Sequence, residues 1–231
     1  MGKQRLDKFI STQTLFTRSE IRKMIFKGQV RVDGEVVLKP DTKIDDEKSE
    51  VLVDSTLIKY KKFVYIVMNK PKGILSATND KNCETVVDLL DDKYSKRNIF
   101  PAGRLDKDST GLVLLTDDGE FAHKITSPKH HIEKSYIVEI DTAVTDEMVE
   151  GFKAGVTLAD GEKCESALCE KVGDTVARVV LKEGKYHQIK RMFGVFNAGV
   201  NSLHRERIGK FTLPDDMKYG KYIEISPENL I

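Results

Sequence analysis

Only a few side chains in this 231-residue chain have the types and spacing that chemistry needs. The segment Pro101–Gly119, P-A-G-R-L-D-K-D-S-T-G-L-V-L-L-T-D-D-G, sets an Arg-Leu-Asp tripeptide before a tight turn, an apolar strand and a second acidic turn. Asp106 stands at the junction of strand and turn, on the rim where a scaffold presents reactive groups. Asp108, inside the turn, reads as turn solvation. Tyr136 shares a strand face with Val138 and Ile140, so it is either core or a ring that stacks on a base. Further on, His187, Lys190 and Arg191 fall at i, i+3 and i+4, beside a buried stripe of Ile189, Met192, Phe193 and Phe196. That face is either an exposed basic surface or the wall of an anionic site.

A single carboxylate can serve as nucleophile or base where a cation beside it favours the charged form. A glycosidase would need two carboxylates, about 5–5.5 or 6.5–9.5 Å apart, one of them protonated. No second ligand lies at a spacing that would make His187 a metal ligand. Cys164 and Cys169, five residues apart, fall on opposite faces of a strand. The expectation is a protein without metal or other cofactor.

The elements that must position these groups can be read in order. Leu6, Phe9 and Ile10 have helical spacing, and Thr17-Arg18-Ser19-Glu20 is a capping box with Phe16 placed to staple onto Ile21. Gly28 closes that helix, and Val30–Val37 reads as a hairpin on an Asp33-Gly34 turn. Residues 1–54 therefore form one small unit, 55–62 a polar linker, and 63–231 the main domain. In that domain Phe63–Met68 is the first strand, ended by Asn69-Lys70-Pro71-Lys72-Gly73. Strands are expected at Leu112–Leu115, Ser135–Ile140 and Thr175–Leu181, and helices at Thr85–Leu90, Glu120–Thr126 and Thr145–Ala154. Leu203–Arg207 reads as a charged strand or edge. Hairpins with scattered helices, lacking regular β-α alternation, predict an α+β fold with a mostly antiparallel sheet.

Charge is unevenly spread behind a net +1. Residues 1–31 carry eight basic side chains, among them Arg5, Arg18, Arg22 and Lys23, against Asp7 and Glu20. Residues 182–210 carry seven against Glu183 and Glu206. Two separate basic clusters on a near-neutral chain point to a polyanion that is held in register, namely nucleic acid. No apolar run approaches a membrane span, no leader pattern opens the sequence, and three scattered cysteines make no disulfide framework, so a reduced, cytoplasmic protein with no membrane partner is expected; it is taken to be a monomer.

The N-terminal blocks L-D-K-F-I, T-R-S-E-I-R-K-M-I and G-Q-V-R-V-D-G resemble the RNA-binding module named after ribosomal protein S-four. In that module the face holding Arg18, Arg22 and Lys23 meets phosphates. The ordered set G-R-L-D, D-S-T-G-L-V-L-L-T-D-D-G, S-P-K-H-H, E-K-S-Y, E-G-K-Y-H-Q-I-K-R-M and L-H-R-E-R-I-G resembles the ribosomal small-subunit pseudouridine synthase A family along nearly the whole chain. The resemblance implies isomerisation of one uridine of 16S ribosomal RNA, uridine 516, with no cofactor. It puts the catalytic aspartate on Asp106, the active-site tyrosine on Tyr136 and the basic partner on Lys190, where other branches use arginine. It further implies that Ile189 packs in the pocket and that Arg104 helps to hold flipped-out RNA. A non-catalytic RNA-binding assembly factor and a large-subunit synthase are the competing expectations. Asp106, Tyr136 and Lys190 together argue against the first, since a binder needs no such trio.

Overall fold

The computed structural model describes residues 2–231, which divide into two compact units, 2–63 with 90–98 and 64–89 with 99–231. The first unit contains β1 (Lys3–Arg5), α1 (Leu6–Gln13), α2 (Arg18–Phe26), β2 (Val30–Val32), β3 (Glu35–Val36), β4 (Lys43–Asp45), β5 (Val51–Val53) and β6 (Thr56–Leu57). Leu6, Phe9, Ile10, Ile21 and Ile25 from the helices meet Val30, Ile44, Val51 and Val53 in one core. The capping box of α2 is formed in full: Thr17 Oγ1 accepts from the Glu20 amide, and the Glu20 carboxylate accepts from the Thr17 amide at 2.7 Å. Phe16, expected to staple onto Ile21, is largely exposed. Asp33 and Gly34 both have positive φ, the conformation a tight two-residue hairpin turn requires. Residues 55–62, expected as a linker, contribute β6 to this unit's sheet, and Ile58 and Tyr60 pack on its core.

The second unit contains β7 (Tyr65–Lys70), β8 (Phe100–Pro101), β9 (Thr110–Thr116), α3 (Gly119–Thr126), β10 (Lys134–Ile140), α4 (Asp146–Ala154), β11 (Leu168–Lys171), β12 (Val176–Leu181), α5 (Gln188–Val195), β13 (Val200–Ile208), β14 (Phe211–Thr212) and β15 (Tyr222–Glu224). The sheet runs β11-β12-β10-β13-β9-β7-β15, with β8 on β9 and β14 on β13. Every pair is antiparallel except β13 with β9. That parallel pair meets at only two register positions, His204 with Thr110 and Arg205 with Gly111. The protein is thus α+β with a mostly antiparallel sheet.

Thr85–Leu90, expected as a helix, is instead a run of turns. Its first residues bridge to Leu75, with the Leu75 amide donating to the Glu84 carbonyl and the Val86 amide to the Leu75 carbonyl. The backbone that would start a helix is thereby held extended. The first strand lies two residues later than expected, at Tyr65–Lys70, because its partner β9 fixes the register from Tyr65 opposite Thr116 to Lys70 opposite Gly111.

Candidate active site

A cavity of about 420 Å³ opens in the second unit where the turn before β9, the strands β10 and β13, and the start of α5 converge. Asp106 lines it, with Arg104 and Leu105 beside it, Tyr136 and Lys134 from β10, Leu203 and Arg205 from β13, and Tyr186, His187, Ile189 and Lys190 around the start of α5. Among these lining side chains Asp106 is the sole carboxylate.

The turn that carries Asp106 is held from both sides. The Ser76 hydroxyl donates to the Leu105 carbonyl at 3.0 Å and accepts from the Leu105 amide at 3.1 Å. After the aspartate, the Gly73 amide donates to the Lys107 carbonyl at 2.7 Å. Lys70, fully buried at the end of β7, donates its ammonium to the carbonyls of Ser109 at 2.7 Å, Pro71 at 3.1 Å and Lys107 at 3.3 Å. Burial lowers the Lys70 pKa to about 8, since desolvation disfavours the ammonium. Asn69–Gly73, which sequence alone marks as the end of a strand, is therefore also the brace of the turn that carries Asp106. Gly111 completes it: with φ +103, it brings β9 so close to β13 that a Cβ would lie 2.3 Å from the Arg205 carbonyl oxygen. Only glycine fits there.

Lys190 reaches the acid turn, but with a different preference from the expected one. Its Nζ is 3.6 Å from Asp106 Oδ2 and only 2.7 and 2.8 Å from the two oxygens of Asp108. Asp108 is thus the hydrogen-bonding partner of Lys190, and that bond lowers its carboxyl pKa. His187 Nε2 lies 3.5 Å from Asp106 Oδ1, on the other oxygen. His187 is the residue preceding α5 and adopts a left-handed backbone, φ +47, which turns its ring toward the cavity. Tyr186, highly exposed, stacks on that ring with centroids 3.9 Å apart.

Tyr136 is nearly buried and lies in the cavity wall, so the two readings of its periodicity, core residue and site residue, both apply. Ile189 is buried and also lines the cavity, while Arg104 lines it from an exposed position. Arg191 does not line it. It turns to Asp160 and Glu162 in the loop before β11. Arg5, Arg18, Arg22 and Lys23 belong to the first unit. There Asp7, buried at the start of α1, accepts from Arg5 at 3.0 Å and from Arg22 at 3.2 Å. The Arg5 bond is the main cause of the lowered Asp7 pKa.

Three site residues escaped sequence reasoning: Lys70, Lys134 and Arg205. Lys134 and Arg205 did carry a signal, since strict alternation puts Lys134 on the face of Tyr136 and Arg205 on that of Leu203.

This fold and cavity define a class. Residues 64–194 match the RNA pseudouridylate synthase family model, and residues 4–51 match the S4 domain. The chain is 39% identical over 227 residues to the ribosomal small subunit pseudouridine synthase A of Escherichia coli (strain K12), covering 98% of each chain. It is 37% identical to an RNA pseudouridine synthase of Bacillus subtilis (strain 168), covering 98% of this chain and 96% of the other. A crystal structure of a pseudouridylate synthase, 35% identical, superposes with a TM-score of 0.70 over 99% of this chain and all of the other. The chain belongs to the RNA pseudouridylate synthase family and is an isomerase acting on RNA. Among the described residues no helix is long and apolar enough to cross a membrane.

Proposed function

We propose that the chain converts a single uridine of 16S ribosomal RNA to pseudouridine, with uridine 516 as the target. It acts as a cytoplasmic monomer. In this reading residues 1–54 grip RNA through Arg5, Arg18, Arg22 and Lys23, and residues 63–231, beyond the segment 55–62, carry the catalytic site. The small-subunit assignment is supported by the Escherichia coli relative, which matches this chain from end to end. The observation that carries the chemistry is the single carboxylate, Asp106, in a cavity whose other charged side chains are basic.

The target base must leave its stack before any side chain reaches it, which costs a few kcal/mol. Phosphate contacts from basic side chains offset that cost, with Arg104 at the cavity mouth holding the extruded strand. Asp106 then acts on the ribose, either attacking C1′ or removing a ribose proton, and the C1′–N1 bond breaks with its electron pair leaving on uracil. The free base turns within the cavity, between Tyr136 and Ile189. C5 bonds to C1′ as the Asp106–C1′ ester bond breaks or, on the proton-removal route, as Asp106 returns the proton to the ribose; the C5 proton is then lost with assistance from Tyr136, and N1 regains a proton. Lys190 links Asp106 and Asp108 and so fixes where the catalytic carboxylate stands. Atoms and electrons balance with no external reagent.

Mapping pseudouridine in 16S and 23S RNA, from cells with and without the protein, tests the substrate. Loss of one 16S site is expected, and loss of a 23S site instead would overturn the small-subunit assignment. Asp106→Asn is expected to abolish product while RNA affinity stays within about twofold, because the change removes charge from a group that does not grip phosphate.

A further inference from the structure

Behind Tyr136 the cavity has a cationic floor without a carboxylate. Arg205 is 2% exposed, yet its guanidinium has no carboxylate partner among the described residues. Its Nε donates to the Leu112 carbonyl at 2.7 Å, and one terminal nitrogen, Nη2, is buried with no hydrogen-bond partner. The guanidinium carbon lies 5.9 Å from the centre of the Tyr136 ring. Lys134, 9% exposed, lines the same wall two residues before Tyr136, and its ammonium donates to the Ile132 carbonyl alone. Arg205 is near enough to help burial in lowering the Lys134 pKa to about 8.

Burying two unneutralised cations in the wall of one cavity costs folding free energy, since desolvation and mutual repulsion both oppose it. Such an arrangement points to an anion that is present only during the reaction. The reaction supplies one. When C1′–N1 breaks, the uracil carries the bonding pair, spread over N1 and its two carbonyl oxygens. Tyr136, Lys134 and Arg205 all line the space that this base occupies in the reading given above, on which the inference rests.

We infer that Arg205 and Lys134 form a fixed positive floor that holds the uracil anion between cleavage of the C1′–N1 bond and formation of the C1′–C5 bond. A preorganised charge of this kind lowers the barrier to departure of the base and keeps the anion from diffusing away. The negative charge arises on the base, passes no electrons to the protein, and is discharged when C5 bonds to C1′ and N1 is reprotonated.

The test compares leaving groups. Arg205→Met, Arg205→Lys, Lys134→Met and Asp106→Asn are assayed in single turnover on a 16S fragment carrying uridine or 5-fluorouridine at the target. The readout is consumption of the target nucleoside. Fluorine stabilises the departing anion by itself, so a floor that stabilises it matters less. Arg205→Met is expected to slow uridine consumption about 10²–10³-fold, as loss of one oxyanion-hole donor does. On 5-fluorouridine the loss is expected to be at least tenfold smaller. Lys134→Met should show the same pattern with smaller losses, and Arg205→Lys should recover part of the rate. Equal losses on both bases would overturn the inference, leaving Arg205 as packing for Tyr136. A reduced RNA affinity and salt slope at unchanged single-turnover rate would overturn it too, assigning these cations to a phosphate. If Arg205→Met does not fold, the Lys134→Met comparison decides by the same criterion. Failure of the underlying site reading looks different: Asp106→Asn would stay active on both bases.

Discussion

Replacing Lys70 with methionine probes how the turn that carries Asp106 is held. The lysine lies fully buried and gives its ammonium to three carbonyls, two of them on the turn that starts at Asp106. Hydrogen bonds from a charged donor are worth about 1.5–3 kcal/mol each. Burying the ammonium costs several kcal/mol in return. Methionine keeps most of the apolar stem, so packing changes little. What remains is three carbonyls without a donor, of which the Ser109 bond is the buried one. Together these leave a net loss of about 2–4 kcal/mol. For a unit of this size each kcal/mol lowers Tm by about 2–4 °C, so a fall of roughly 5–15 °C is expected in a thermal melt followed by circular dichroism. Activity should fall further than stability. A carboxylate displaced by about 1 Å costs on the order of 10²-fold in rate. Single-turnover pseudouridine formation, measured well below the new Tm, separates the two effects. A Lys70→Met protein with the wild-type melt and the wild-type rate would refute the brace.

Gly111→Ala forces a Cβ to within 2.3 Å of the Arg205 backbone at a φ of +103. Strain and overpacking together should cost roughly 2–5 kcal/mol, read from urea unfolding; a loss under about 0.5 kcal/mol would show that β9 and β13 separate freely. Asp7→Asn frees Arg5 and Arg22 from their shared carboxylate, and RNA affinity should drop several-fold while single-turnover rate at saturating RNA is unchanged. Because the Asp7 pKa is lowered in the fold, its contribution is present above the ordinary carboxylate range and lost as pH falls through the folded value; the acid limb of the unfolding profile should flatten in Asp7→Asn. Lys134 gives the same sign of pH dependence in an alkaline window. Between its folded value of about 8 and its ordinary 10.5 the unfolded chain holds a proton that the native one has released. Stability should therefore rise with pH across that window, and Lys134→Met should remove its share of the rise, the rest belonging to Lys70, whose pKa is likewise lowered to about 8; an unchanged slope would count against the burial of this charge.

The elements most legible in the sequence were those whose signals are local. The Thr17–Glu20 box, the Asp33-Gly34 turn, the helix from Asp146 to Ala154 with Asp146 and Glu147 in its first turn, and the apolar strand around Leu112–Leu115 all carry their reasons within a few residues. Thr85–Leu90 failed because a partner ten residues earlier, Leu75, claims its backbone. Lys70 was illegible for a different reason. Its partners are main-chain carbonyls, which every residue has, so no side-chain type announces them. Asp108 was read as a solvated turn residue because its partner, Lys190, lies 82 positions away. Arg205 and Lys134 were hidden by the habit of treating charge on a strand as exposed.

The two-position parallel contact between β9 and β13 has a consequence for how the molecule matures. The core of the first unit draws only on residues between Leu6 and Tyr60, so that core can form early in synthesis. The chamber around Asp106 cannot, because one of its walls arrives only with residues beyond 200. During translation the chain therefore gains its grip on nucleic acid well before it gains the capacity to alter it. A nascent chain stalled before β13 should bind and do nothing more.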